Sequence, residues 1–409
     1  MAQKLLYTNI KSLYGISSGK LKLKKGSELA NFERLDNAWL LVSESGTIEN
    51  FESMETMPEF SGDVYNCKEK FILPCFVDSH THLIHAGSRE HEFVDRIKGL
   101  SYEQIASRGG GILNSASKLN LETEDDLFRS AYERLQQAIA MGTGAIEIKS
   151  GYGLNVANEL KMLRVANRLK AISPIPIKIT FLGAHALLPE FKSNSQGYID
   201  QIIREMLPVI GAEKLADYID VFCETNYFSV SEMEQILDAG SKYGLKPKVH
   251  VNQFNSIGAV SSAIKKGALS VDHLEVMSDE DYSALRSSET IPVALPACSF
   301  FIKIPYAPAR KLIDSGLALT LASDYNPGSS PCLSMPFVVS LACIQMGLLP
   351  EEAFNAATIN GAAAIEISDE LGSIEIGKRA NFIITKPVPS LNYLPYSFAE
   401  SYIDRVVIA

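Results

Sequence analysis

Eight short apolar runs, each followed by a stretch of helical signals, fill residues 71–323 and leave few folds open to this chain. The runs are 71–79, 143–150, 177–182, 218–223, 246–251, 269–273, 291–295 and 317–323. Most are apolar on both faces, as parallel strands are when helices cover one side and packed side chains the other. Helix signals stand between them. Thr123 opens T-x-x-D before a helix that should end at Gly142, Ser231 opens S-x-x-E with Gly244 closing, and Ser278 opens S-x-x-D. Eight β-then-α units over roughly 250 residues predict a (β/α)8 barrel rather than a doubly wound sheet.

The two ends of the chain follow another pattern. Residues 38–51 form two strand-like segments about Gly46 without helical periodicity, and 372–384 with 404–408 resemble them. Neither end carries enough apolar surface to fold alone. The prediction is an α/β protein: a TIM-like barrel over 71–367, and one small β domain assembled from 1–70 and 368–409. With 409 residues, 46% of them apolar, the chain can bury both.

Composition narrows the function. A formal net charge of −10 argues against nucleic acid, which calls for a basic face. No apolar run reaches the ~18 residues of a membrane span, and the stretch from Met1 to Ile10 lacks the apolar segment of a signal peptide. Cys67, Cys75, Cys223, Cys298, Cys332 and Cys343 show no C-x-x-C spacing, and several sit inside apolar runs. They are expected to be reduced residues of a cytoplasmic protein, not a disulfide frame or a Cys-zinc site.

Chemistry concentrates at the strand ends. Strand one closes on His80-Thr81-His82, and side chains two apart on a strand leave by the same face. Taken alone, such a pair is as well explained by ordinary surface or core histidines. Five of the seven histidines, however, fall at strand ends: His80, His82, His185, His250 and His273. Lys149, Cys223-Glu224 and Asp324 end three further strands. In a barrel, these positions share one rim. A catalytic metal wants about three or four protein ligands and an open position for water. His80, His82, His250 and Asp324 supply them, with His273 nearby as a proton carrier. Such an ion lowers the pKa of its water from about 15.7 to about 7, and Asp324 can take that water's proton and pass it to a leaving nitrogen. Strand four has no lysine to bridge two ions, so one metal is expected. Lys149 is then structural or substrate-facing, while His85 and His91 fall outside the pattern.

These residues resemble the amidohydrolase superfamily. The carriers are Leu73-Pro74-Cys75-Phe76-Val77-Asp78-Ser79-His80-Thr81-His82 and the C-terminal segment from Gly372 to Asn381. A finer resemblance, to the branch acting on an imidazolone ring, rests on further segments. They are Ser107-Arg108-Gly109-Gly110-Gly111-Ile112, the run from Glu147 to Leu154, Thr180 to Ala186, Asp220 to Glu224, and Ala322 to Ser330. It implies hydrolysis of 4-imidazolone-5-propanoate to N-formimidoyl-L-glutamate in histidine degradation, with zinc or iron, and a homodimer. It carries metal binding onto His80, His82, His250 and Asp324, and substrate contacts onto Arg89, Tyr152, His185, Gln253, Asn326, Gly328 and Ser329. The chemistry agrees, because a propionate needs a cation and arginine grips carboxylates with two bonds; the plainer role for Arg89 is an ion pair with Glu90 or Glu92. One departure stands out: some relatives carry a carboxylate just after the strand-five histidine, where Val251-Asn252-Gln253 offers only amides.

Two other functions fit parts of the pattern. A mononuclear deaminase acting on a nucleobase-like ring would share every metal ligand but needs no carboxylate-binding Arg89 and Tyr152, and it would release ammonia. A metal-free barrel serving as a binding or assembly protein would be marked by a missing ligand, and none is missing.

Overall fold

A computed structural model describes residues 4–19, 22–100, 104 and 110–409. Ser107, Arg108 and Gly109 of the glycine-rich segment lie outside the described residues. The strands in chain order are β1 (Leu5–Tyr14), β2 (Arg34–Val42), β3 (Ile48–Ser53), β4 (Asp63–Asn66), β5 (Phe71–Pro74), β6 (Phe76–Asp78), β7 (Thr143–Lys149), β8 (Ile177–Ala184), β9 (Tyr218–Cys223), β10 (Lys246–Val251), β11 (Ser270–His273), β12 (Ile291–Ala294), β13 (Thr320–Leu321), β14 (Phe382–Thr385) and β15 (Ile403–Val407). β6 to β13 make one eight-stranded parallel sheet in sequential order, the predicted barrel. It closes at the rim: Thr81 bridges Tyr325 in parallel, Asp324 N donates to His80 O at 3.0 Å, and His82 N donates to Tyr325 O at 2.8 Å. Three of the four candidate ligands, His80, His82 and Asp324, thus also make the closing bonds of the barrel.

Helices cover the outside. Glu124–Ala140 begins on Thr123, whose side chain accepts from Asp126 N, and it buries Leu127, Ala131, Leu135 and Ala138 on one stripe. Each buried leucine of this kind contributes roughly 1.5–3 kcal/mol by leaving water. Ser278 caps Asp279–Arg286 through a capping box with Asp281, as predicted. The third cap is corrected. Helix Val230–Ser241 starts on Ser229, boxed with Glu232, and not on Ser231. Both serines precede a glutamate by three residues, but Glu234 is spent on Ser262 of the next helix.

The second sheet joins both ends of the chain in the order β15-β14-β5-β1-β2-β3, with β4 beside β1. Tyr7, Ile10, Leu13, Leu40, Ile72, Phe382 and Ile384 form its core. Here the single run predicted over 71–79 divides in two. Phe71–Pro74 pair with β1 and β14 in the small sheet, and the barrel begins only at Phe76. Cys75 is the hinge between them, packed so close to β7 that a Cβ on Gly144 would lie 2.4 Å from its own. Among the described residues, no helix is long and apolar enough to cross a membrane.

Candidate metal centre and substrate cavity

His80, His82, His250 and Asp324 each offer one donor atom, all within 4.8 Å of one another, and all four residues are buried. Asp324 Oδ1 faces His80 Nε2 at 3.4 Å and His82 Nε2 at 3.5 Å. Local backbone strain helps to aim these groups: Asp324 and His273 sit at φ 52° and 89°, conformations that cost a non-glycine residue about 1–3 kcal/mol and persist where surroundings enforce them.

Two carboxylates stand behind the histidines. His80 Nδ1 lies 2.6 Å from Asp272 Oδ2, and His250 Nδ1 lies 2.8 Å from Asp220 Oδ2. Each bond holds a proton on Nδ1 and leaves the Nε2 lone pair for an ion, the usual support of a metal-ligating imidazole. His80 Nε2 is fully buried without a hydrogen-bond partner. An orphaned buried nitrogen is costly, and a cation there satisfies it. Burial and Lys149 push the His80 imidazole down, yet the facing carboxylates of Asp272 and Asp324 outweigh them and carry it up to about 9. The two carboxylates thus favour positive charge at the ring between them. Burial lowers His82, and burial with His80 and Lys149 lowers His250, so both are neutral donors. Burial would raise Asp324, but the facing His80 and His82 rings hold it well below the usual carboxylate range. The donor set fits a divalent ion of the zinc or iron type.

The cluster opens into a cavity of about 460 Å³ lined by His82, Arg89, Tyr152, His185, His250, Gln253, His273, Asp324, Asn326, Gly328 and Ser329. Of the proposed site residues only His80 lies beneath the lining. His185 stacks on His82 with ring centres 5.3 Å apart, and its Nδ1 meets Gly151 O at 2.9 Å. His273 Nδ1 is 3.3 Å from Glu275 Oε1. Burial lowers that imidazole, Glu275 outweighs burial, and the ring ends above its usual value. Arg89 makes the ion pair with Glu92 (Nη2 to Oε2, 2.6 Å) and lines the cavity as well. Asn326 spends its side chain on its own loop, accepting from Gly328 N and Ser329 N and donating to Asp324 O. Gln253 donates to Cys298 Sγ at 3.5 Å. Glu224 caps the next loop by accepting from Phe254 N and Asn255 N. His91 is exposed on the helix Glu90–Ile97, and His85 is buried with Nδ1 on Gly87 O.

Sequence reasoning missed the groups behind the site: Asp220, Asp272, Glu275 and Glu159. Glu159 lies on a helix with partly exposed neighbours, whereas Asp220, Asp272 and Glu275 are charged residues inside or beside a run that is otherwise fully buried. That was the available signal, since a buried charge needs a partner.

The amidohydrolase family model matches residues 71–408, and the chain belongs to that family. Among its relatives, the imidazolonepropionase of Flavobacterium johnsoniae is 54% identical over 404 residues, covering 98% of each chain. That of Thermoanaerobacter pseudethanolicus is 38% identical over 407 residues, 100% of this chain and 97% of the relative. The branch within the family is thus that of the imidazolonepropionases. Among solved structures, guanine deaminase from C. acetobutylicum matches with a TM-score of 0.69 at 15% identity over 99% of both chains. The 5-methylcytosine deaminase from Klebsiella pneumoniae matches at 0.71 and 14%, over 97% and 95%. At that identity these show the shared fold.

Proposed function

We propose that the chain hydrolyses the ring amide of 4-imidazolone-5-propanoate to N-formimidoyl-L-glutamate, a step of L-histidine degradation, with one zinc or iron ion at His80, His82, His250 and Asp324. The observation that carries the reading is one cavity that opens on the four-donor cluster and is also lined by a cation, Arg89, beside Tyr152. The identity to imidazolonepropionases along the whole chain supports the choice of ring. The bound ion supplies Lewis acidity and a more acidic water.

The chain's own groups do the rest. Arg89 holds the propionate, and Tyr152 and His185 flank the ring. The water oxygen bonds to the ring carbonyl carbon while Asp324, ionised in its place, accepts a proton. The carbon–nitrogen bond then breaks as the ring nitrogen gains a proton. His273 is suited to donate it from Nε2, because Glu275 occupies the Nδ1 side. Gln253 orients and cannot accept a proton, so Asp324 and His273 carry that work. The reading includes a homodimer in the cytoplasm, and six unpaired cysteines support a reducing compartment.

Purified protein assayed on freshly generated 4-imidazolone-5-propanoate should open the ring without releasing ammonia, and chelation should abolish turnover until one equivalent of metal is restored. Asp324→Asn should keep substantial metal and lose nearly all turnover. Ammonia release would turn the reading to a deaminase, and an active Asp324→Asn with metal bound would move the proton step to His273.

A further inference from the structure

Lys149 is a fully buried charge that the chemistry above leaves unused. It ends β7, and its Nζ lies 2.9 Å from Glu147 Oε1, 3.0 Å from Asp220 Oδ2 and 3.8 Å from Asp272 Oδ2. Asp220 and Asp272 are the two carboxylates that face Nδ1 of His250 and His80. Lys248 stands on the far side of Glu147, 3.8 Å from Oε2. We infer that Lys149 is a positioning residue of the metal centre: its ammonium pins Asp220 and Asp272 against two histidines, so that both rings present Nε2 to one divalent ion. This rests on reading the four-donor cluster as a metal site.

The physical reason is charge. Two buried aspartates repel each other out of water, and the Lys149 ammonium, 3.0 Å from one and 3.8 Å from the other, lets both stand against their histidines. An aspartate displaced from its histidine no longer fixes the ring, and Nε2 is then free to turn away from the ion. Burial acts to strip the Lys149 ammonium, but Asp220, Glu147 and Asp272 outweigh it and keep it charged. The linked set also balances. Glu147, Asp220, Asp272 and Asp324 bring four negative charges against two ammonium groups, Lys149 and Lys248, and one divalent ion neutralises the remainder. Lys149 does not line the cavity, so it has no contact with substrate.

The test is zinc affinity, measured by competition with a chromophoric chelator on the full chain. Lys149→Met should weaken zinc binding by about 10–100-fold, the range for losing an outer partner of a metal ligand. With metal saturating, its KM should stay within about twofold of wild type. Unchanged zinc affinity in folded Lys149→Met overturns the positioning role. If that variant is not recovered folded, Glu147→Gln decides. It removes one of the three partners without touching a carboxylate that faces a histidine. Several-fold weaker zinc binding supports the role, and unchanged affinity overturns it. Wild-type protein that binds no stoichiometric zinc would instead overturn the metal-site reading itself.

Discussion

Arg89 and Gly328 show how narrowly the substrate end is built. Arg89 directs Nε and Nη2 at Glu92 Oε2, at 2.9 and 2.6 Å, and Glu92 Oε1 accepts from Gly111 N at 2.9 Å. The guanidinium is thereby fixed with Nη1 against Gly328, where a Cβ would lie only 2.1 Å away. Gly328→Ala must displace the fork, while the fold loses little because the yielding atom ends a flexible side chain. We expect KM to rise about tenfold or more, the effect of one weakened charge-assisted contact of about 1.4 kcal/mol or above. The melting temperature should move only a few degrees. Steady-state kinetics beside a thermal melt decide this, and an unchanged KM would show that Arg89 does not hold the propionate. The sequence offered Arg89 two roles, an ion pair with a neighbouring glutamate or a substrate grip. The geometry shows that the ion pair and the cavity position go together, since the pair sets the direction of the fork.

At the scale of elements, the loop after β7 is shaped by a residue that no motif advertises. Glu159, on the helix Val156–Ile172, accepts from Gly151 N, Gly153 N and Leu154 N at 3.0, 2.7 and 2.9 Å. The segment from Gly151 to Leu154 carries Tyr152 into the cavity. Glu159→Gln turns an amide donor toward backbone N–H groups, so the loop should loosen. We expect KM to rise and metal content to stay at wild-type level, measured by kinetics and elemental analysis on one preparation; loss of metal instead would place Glu159 in the metal support. What the sequence made legible follows the same division. Strands and their histidines were visible because strand composition is apolar and metal donors come from few residue types. The break at Cys75 was not, because Phe71–Pro74 and Phe76–Asp78 are equally buried and differ only in which sheet they join. Nor was the service of Asp220 and Asp272, each separated by many residues from the histidine it supports. The helix start at Ser229 in place of the expected Ser231 follows from the contact of Glu234 with Ser262, which local sequence does not contain.

The whole molecule inherits a pH dependence from histidines held neutral. Burial, with Arg134 nearby, pushes His85 down to about 3, and burial with His82 does the same to His185. An unfolded histidine titrates near 6.5. Between these values the unfolded chain binds more protons at these two sites, so their contribution to stability is complete above about 6.5 and falls as pH drops toward 3. His85→Gln, which can still donate to Gly87 O, should shallow that acid slope by about one proton. Denaturant unfolding of metal-free protein between about pH 4 and 7 checks it, and an unaltered slope would mean that His85 protonates freely in the fold. The split at Cys75 has a consequence in time. β5 lies between β1 and β14, so one edge of the segment leading to His80 and His82 stays unpaired until residues 382–385 emerge from the ribosome. At about 5–20 residues per second, the ~300 residues between them take roughly 15–60 s. Throughout that interval the nascent chain exposes an apolar edge. Any product truncated before β14 leaves synthesis with that edge still open to pair with another chain.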